Sequence, residues 1–340
     1  MRKMKKFKMC ASFLSTNAPR VGFSDIATLE DVRYCYRLLL QREPSQEERE
    51  YWIQRLDKET THLQGLMEHF LNSSEVRARQ RVMRQPLLVE LESFKIYVRR
   101  DDWVVGAQII RDKIYEPHVT REMRPLLRSG AVMVDIGANI GYFSLLAASL
   151  MGPSGKVIAF EPLFDNCELI NLSIRANNLG NIVVYPYAVA ETEQMLAFII
   201  EGSDGTMAEL SAGQFVPPHD QLAHAVTLDK MLRDEPKIDL VKMDTEGTEA
   251  RVLKGMLNII RHHRPVIFTE LHPALLKAKS DVTPERYLND IRELGYELFS
   301  LPIDGRKSEV PQSNEQIMDC LRRYDEMYRR IWLELVAYPR

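Results

Sequence analysis

The stretch "VMVDIGANIGYFSLLAASL", Val132 to Leu150, constrains the fold of this chain more than any other. An apolar run ends in Asp135, a loop with two glycines follows, and a second apolar run begins at Tyr142. A strand buried on both faces reads as nearly continuous apolar sequence. The charge therefore belongs at the carboxyl end of such a strand, where open α/β sheets bind their ligands. Gly137 and Gly141 allow a tight turn with close backbone approach, and Asn139 is among the few other residues that tolerate left-handed backbone.

The rest of the chain extends this pattern. Strands are expected near 131–135, 156–160, 182–187, 238–243, 265–270, 295–300 and 331–338, and helices starting near 141, 165, 248 and 284. Such alternation predicts a doubly wound α/β fold with a mainly parallel seven-stranded sheet. The segment "AFIIEGSDGTMAELSAGQFVPPHDQLAHAVTLDKML" interrupts the rhythm as an insert. Upstream, "SFKIYVRR" and "WVVGAQII" read as short strands joined by Arg100-Asp101-Asp102, with a helix after Pro117.

Before Pro86 the pattern is helical: Val32, Tyr36 and Leu39, then Tyr51, Trp52 and Leu56, then Leu63, Met67, Phe70 and Leu71 recur at helical spacing. Pro44-Ser45 ahead of Glu47-Glu48, and Asn72-Ser73-Ser74-Glu75, supply helix starts. The expected organisation is a basic tail over 1–24, a small all-α accessory domain over 25–85 and an α/β domain over 86–340. Residues 1–100 hold 19 basic against 13 acidic side chains, and residues 101–340 hold 26 against 35. An acidic larger part argues against a broad nucleic-acid footprint. The four cysteines, Cys10, Cys35, Cys167 and Cys320, are isolated, so neither a metal clip nor a disulfide framework is written here. A reducing, cytoplasmic location is expected, with loose association with an inner membrane surface left open by the basic tail. No spanning helix is expected.

The ligand can be narrowed. From Gly137 the dinucleotide spacing meets Asn139 and Tyr142 where it needs glycine, and the phosphate-loop signature is absent. An acidic residue in the loop suits an ammonium group better than a phosphate. "GKVIAFEP" places Glu161 at the end of the next strand, where a carboxylate can accept hydrogen bonds from ribose hydroxyls. A ligand with both an α-amino acid and a ribose is S-adenosylmethionine.

With "YEPHVTREMRPLLRSG", "VIAFEP", "AVTLDKML", "IDLVKMDTEGTEARVLKG" and "VIFTELH" in order, residues 94–300 resemble the class I S-adenosylmethionine-dependent methyltransferases, and more narrowly the FkbM family. The resemblance implies O-methylation of a sugar, glycan or natural-product hydroxyl. The first hundred residues, with "YCYRLLLQREPSQEEREYWIQRL", are similar to a helical module related to phycobilisome linker proteins, which implies association with a protein partner or another copy. A non-catalytic scaffold in glycan biosynthesis and a methyltransferase of small secondary metabolites are the alternatives.

Methyl transfer requires alignment of the acceptor oxygen and uptake of its proton. The groups at the right strand ends are Asp244, Glu246, Glu270 and His272, taken as catalytic candidates. Asp244 with Glu270 could instead hold a divalent ion, although none is predicted. Asp135, Gly137, Asn139, Gly141, Glu161 and Ala188 are the cofactor-binding candidates. Within the insert, Asp204 and Thr206 are the candidates for contacting the acceptor, and "QFVPPHD" is a candidate lid edge. His262-His263 are assigned to a helix tail rather than to a site.

Overall fold

The computed structural model describes residues 26–58, 60–201, 204–208, 221–303 and 307–340. The chain divides into two compact units at Met83/Arg84.

The first unit holds four helices, α1 (Leu29–Leu39), α2 (Gln46–Lys58), α3 (Leu63–Leu71) and α4 (Ser74–Arg84). Thr28 starts α1 with a reciprocal cap to Asp31. Ser45 does the same for α2, its N–H donating to Glu48 and its hydroxyl accepting from the Glu48 N–H. The core gathers Val32, Cys35, Tyr36, Trp52, Leu66 and Phe70, with Trp52 and Phe70 stacked at 5.6 Å. Tyr51, Met67 and Leu71, expected on the apolar faces, are exposed instead. The buried stripe runs through Leu66, whose spacing of four to Phe70 the neighbouring apolar residues disguise. Arg42 ties the unit together, reaching Glu48 at 2.7 Å and Glu75 at 2.8 Å.

The second unit opens with an antiparallel hairpin, β1 (Pro86–Glu90) and β2 (Lys95–Arg99), then α5 (Val105–Asp112) and α6 (Pro117–Met123). "WVVGAQII" is therefore mainly helix, not strand. Asp102, 1% exposed, accepts from the Val104 and Gly106 N–H groups and starts the helix. That local cap outweighs the β propensity of the valines and isoleucines.

Next come β3 (Val132–Ile136), α7 (Tyr142–Met151), β4 (Lys156–Phe160), α8 (Phe164–Asn177) and β5 (Ile182–Tyr185). The insert is more ordered than a loop: β6 (Ala188–Val189), β7 (Gln194–Glu201), β8 (Asp204–Ala208) and β9 (Gln221–Val226) form a separate sheet in the order β6-β9-β7-β8. Within "GSDGTM", Asp204 to Met207 lie on β8, paired with β7, whose Leu196, Ala197 and Phe198 are buried. The chain continues through α9 (Leu228–Met231), β10 (Leu240–Met243), α10 (Glu249–Lys254), α11 (Leu257–His263), β11 (Val266–Leu271), α12 (Pro273–Ser280), α13 (Pro284–Glu293), β12 (Tyr296–Leu301), α14 (Asn314–Tyr328) and β13 (Leu333–Pro339).

The main sheet has seven strands in the order β12-β13-β11-β10-β3-β4-β5. All pairs are parallel except those of β13, which runs antiparallel to both neighbours. Successive side chains point to opposite faces of a strand. Val134, Ile136, Val241, Met243 and Ile267 accordingly pack on one face, while Met133, Leu240, Phe268 and Val336 pack on the other with α7. The same alternation puts Asp135, Lys242, Glu270 and Glu334 on the α7 face. From β3 the chain goes to β4 on one side and later to β10 on the other, so the strand order reverses between β3 and β10. Their carboxyl ends are where such a fold opens a crevice.

Candidate active site

A cleft opens at that reversal. Its wall is drawn from Ile136 to Ile140 after β3, Glu161 to Leu163 after β4, Tyr187 to Val189 after β5, and Asp244 to Glu246 with Thr248 after β10. Lys242, Tyr115, Val105 and Phe143 complete it, with Leu196 and Phe198 of β7.

The loop after β3 is held in left-handed backbone at Gly137, Asn139 and Gly141. Only glycine fits at 137: φ is +73°, and a Cβ would lie 2.0 Å from the Asp244 carbonyl oxygen. Gly141 starts α7 at φ +86°, with Ile170 2.8 Å from where its Cβ would be. The loop is fastened from β4, since Glu161 accepts from the Asn139 N–H at 2.7 Å. The other Glu161 oxygen accepts from the Leu163 N–H at 2.9 Å and the Asn166 amide at 3.2 Å. Burial nonetheless pushes the Glu161 carboxyl up to about 7.

Asp135 sits directly behind this wall, 1% exposed. The Ser144 hydroxyl donates to its Oδ2 at 2.6 Å, while Oδ1 is buried and accepts nothing among the described residues. Burial raises its pKa, and the nearby Lys242 ammonium opposes that shift. Of the six residues expected to bind the cofactor, Gly137, Asn139, Glu161 and Ala188 line the cleft; Asp135 and Gly141 do not, and Gly141 starts α7 below it.

At the β10 end, Asp244 and Glu246 both line the cleft, Glu246 in left-handed backbone at φ +54°. Glu249, which the sequence reading missed, organises their loop. It is fully buried, and its Oε1 accepts from the Thr245 and Gly247 N–H groups at 2.8 and 3.3 Å. Burial pushes it up to about 7.

A much smaller cavity shares Lys242 and Asp244 with the cleft and adds Glu116, Glu270, Phe268 and Glu334. Glu270 faces Glu334 across the β11–β13 pair. Like charges directly opposite are destabilising, and the sheet answers them in two ways. Glu334 is bound by His118 at 2.9 Å and by Arg330, which lowers its pKa against the effect of burial. Glu270 keeps a buried Oε1 with no partner among the described residues, and burial beside Asp244 holds its carboxyl well above the usual range.

His272 has a different place. It caps α12, accepting from the Leu275 N–H at 3.3 Å, and stacks on Trp332. His262 ends α11 and contacts the Asn258 carbonyl. Asp204 and Thr206 belong to β8, opposite Glu201 and Ile199, and their side chains lie outside the described set, as does "QFVPPHD". Among the described residues no group of three or more His, Cys, Asp or Glu side chains is arranged to hold a metal ion. Lys242 and Glu116 escaped the sequence reading, although a lysine inside "DLVKMD", a strand expected to be buried, was a visible anomaly.

Residues 135–298, the span from the first strand end to the sixth strand, match the family described as the methyltransferase FkbM domain. The chain carries an FkbM methyltransferase domain. A curated relative, the hexuronic acid methyltransferase AglP of Haloferax volcanii, is 26% identical over 199 residues, covering 56% of this chain and 76% of that one. Among solved structures, a methyltransferase FkbM from Methylobacillus flagellatus KT is similar at 15% identity and TM-score 0.40. That match covers 91% of this chain, which spans 60% of the other's length. Aeropyrum pernix fibrillarin with natively bound S-adenosyl-L-methionine is similar at 8% identity and TM-score 0.38, covering 75% of this chain and 100% of that one. Among the described residues no helix of the methyltransferase chain is long and apolar enough to cross a membrane.

Proposed function

We propose that this methyltransferase takes its methyl group from S-adenosylmethionine and delivers it to a hydroxyl oxygen of a sugar or glycan. The observation that carries the cofactor half is the pair of buried carboxyls, Asp135 and Glu161, on adjacent strand ends around a loop that excludes a Cβ at Gly137. Glu161 Oε2 accepts from the Asn139 N–H and has a second lone pair to offer ribose hydroxyls. The unpartnered Asp135 Oδ1 and the acidic character behind the loop favour an ammonium-bearing end.

The cofactor supplies an activated methyl group; this chain supplies alignment and a proton acceptor. Asp244, whose side chain is 26% exposed, stands on the cleft wall where β10 ends and can take the hydroxyl proton. A saccharide acceptor is supported by the name of the Haloferax relative. Two exposed aromatics next to cleft-lining residues in the chain favour it further. Trp103 is 74% exposed two residues from Val105, and Phe164 is 62% exposed beside Leu163. Asp102 fixes the Trp103 turn, so the indole is offered on rigid backbone. Apolar ring faces of this kind suit the C–H face of a pyranose.

Isothermal calorimetry with S-adenosylmethionine and S-adenosylhomocysteine tests the reading. Micromolar binding that Asp135→Ala and Glu161→Ala abolish while the chain stays folded supports it. No binding by the folded wild type overturns it in favour of a non-catalytic role.

A further inference from the structure

Lys242 is the least expected residue of the sheet. It occupies the third position of β10, in register with Asp135 on β3 and Phe268 on β11, and is 6% exposed. Burying an ammonium costs several kcal/mol unless it is paired well, so its place needs a reason. Its Nζ donates to Asp244 Oδ2 at 3.0 Å and lies 4.7 Å from the centre of the Phe143 ring. It lines both the main cleft and the smaller cavity.

The charged groups around it come from every neighbouring element. Asp135 on β3, Asp244 after β10 and Glu116 ahead of α6 act on Lys242 and together hold it protonated against the cost of burial. Asp244 in turn acts on Glu116, Asp135, Glu249 and Glu270. Glu334 also acts on Glu116 and Glu270, and is itself engaged by His118 and Arg330. Glu116 and Glu270 are both pushed well above the carboxylate range, by burial first and by the surrounding acids second. In such a crowd the carboxyls differ in their cation contacts: Asp244 has an ammonium at hydrogen-bond distance, and neighbouring acids are displaced toward their neutral forms.

Resting on the methyl-transfer reading above, we propose that Lys242 is the positioning residue of the reaction: its ammonium anchors Asp244 Oδ2 and balances its charge, leaving Oδ1 to take the acceptor proton. In that step the acceptor oxygen forms the new O–CH3 bond, and the S–CH3 bond breaks with its electron pair going to sulfur. The hydroxyl proton passes to Asp244, which later returns it to solvent. Lys242 touches neither the proton nor the methyl group; it acts through Asp244.

The test needs no identified acceptor. Carboxyl 13C resonances of labelled aspartate are followed against pH in wild type, Lys242→Met, Lys242→Gln and Lys242→Arg, with Asp244→Asn to assign the signal. S-adenosylhomocysteine binding is measured in parallel. The expected result is that Asp244 titrates about one pH unit or more higher in the Met and Gln variants and returns toward wild type in the Arg variant. Inhibitor affinity should stay within about threefold, roughly 0.6 kcal/mol or less. An unchanged Asp244 midpoint in a folded Met or Gln variant overturns the proposal, as does a wild-type Asp244 that titrates together with Glu116 and Glu270. The second comparison is made on wild type, so it holds even if the neutral variants fail to fold. Loss of inhibitor binding with an unchanged midpoint would place Lys242 on the cofactor side instead. Absence of inhibitor binding in wild type sinks the methyl-transfer reading itself, a separate outcome.

Discussion

The carboxyl ends of β3 and β4 gather one set of acids, and those of β10 and β11, with the amino end of the antiparallel β13, gather another; the two groups live by different rules. Glu161 is clasped by two backbone N–H groups and an amide, and its own hydrogen bonds shape the glycine loop. Glu270 and Glu116 have no such clasp among the hydrogen bonds described, and Asp244 leans on a lysine. A carboxylate satisfied by backbone donors is part of a mould. Carboxyls left to share one ammonium are easily moved between charged and neutral forms, which is what proton transfer needs. On the proposed reading, the contrast separates a binding half from a reacting half.

The sharpest way to break that contrast is at the hinge of the mould. In Gly137→Ala the new Cβ meets the Asp244 carbonyl, and φ +73° is strained for alanine. Cofactor affinity should fall at least about a hundredfold, near 3 kcal/mol, by calorimetry on a protein whose circular dichroism is unchanged. Retained micromolar binding would show that the loop is not the mould. The mirror-image variant is Asp244→Asn, which removes the base and keeps the shape. Turnover should drop by roughly 10² to 10⁴ with cofactor affinity nearly unchanged, and a loss confined to affinity would move Asp244 into the binding half.

These two positions also mark how far the sequence could be read. The seven strands and the glycine loop were legible because buried parallel strands are continuous apolar runs and turn residues punctuate them. Asp135, Glu161 and Asp244 stood out as candidates because each ends such a run. "WVVGAQII" misled because a buried aspartate side chain, Asp102, starts a helix there, and that contact is invisible in local propensity. Glu116 and Glu334 were illegible for another reason: they lie 218 positions apart in sequence and share a cavity only through the antiparallel β13. His272 was misread because a histidine at a strand end looks the same in sequence whether it faces the cleft or caps the next helix.

A milder break comes from pH. Glu161 and Glu249 are each pushed up to about 7 from 4.5 by burial. An acid whose folded pKa is raised contributes stability present below its unfolded value and lost as pH rises through the folded one. Thermal stability of the ligand-free protein should therefore decline between about pH 5 and 8. Ligand binding should run the other way if ribose hydroxyls donate to ionised Glu161. S-adenosylhomocysteine should bind about tenfold more weakly at pH 6 than at pH 8, and Glu161→Gln should flatten that dependence. Parallel trends in stability and affinity would show that the buried carboxyl serves the fold and not the ligand.

The smallest expected effect lies outside both halves. Trp103 is exposed, and its turn is fastened by Asp102 rather than by the indole, so Trp103→Ala should cost the fold little. If the indole stacks on the acceptor, the variant should raise the acceptor KM by about tenfold, an aromatic contact of roughly 1 kcal/mol, and leave kcat and cofactor affinity alone. Trp103→Phe should recover most of the loss, because the face matters and the indole N–H does not. A fall in kcat would instead mean that the indole helps align the reacting hydroxyl, and the reacting half would then extend from the β10 end to the turn before α5.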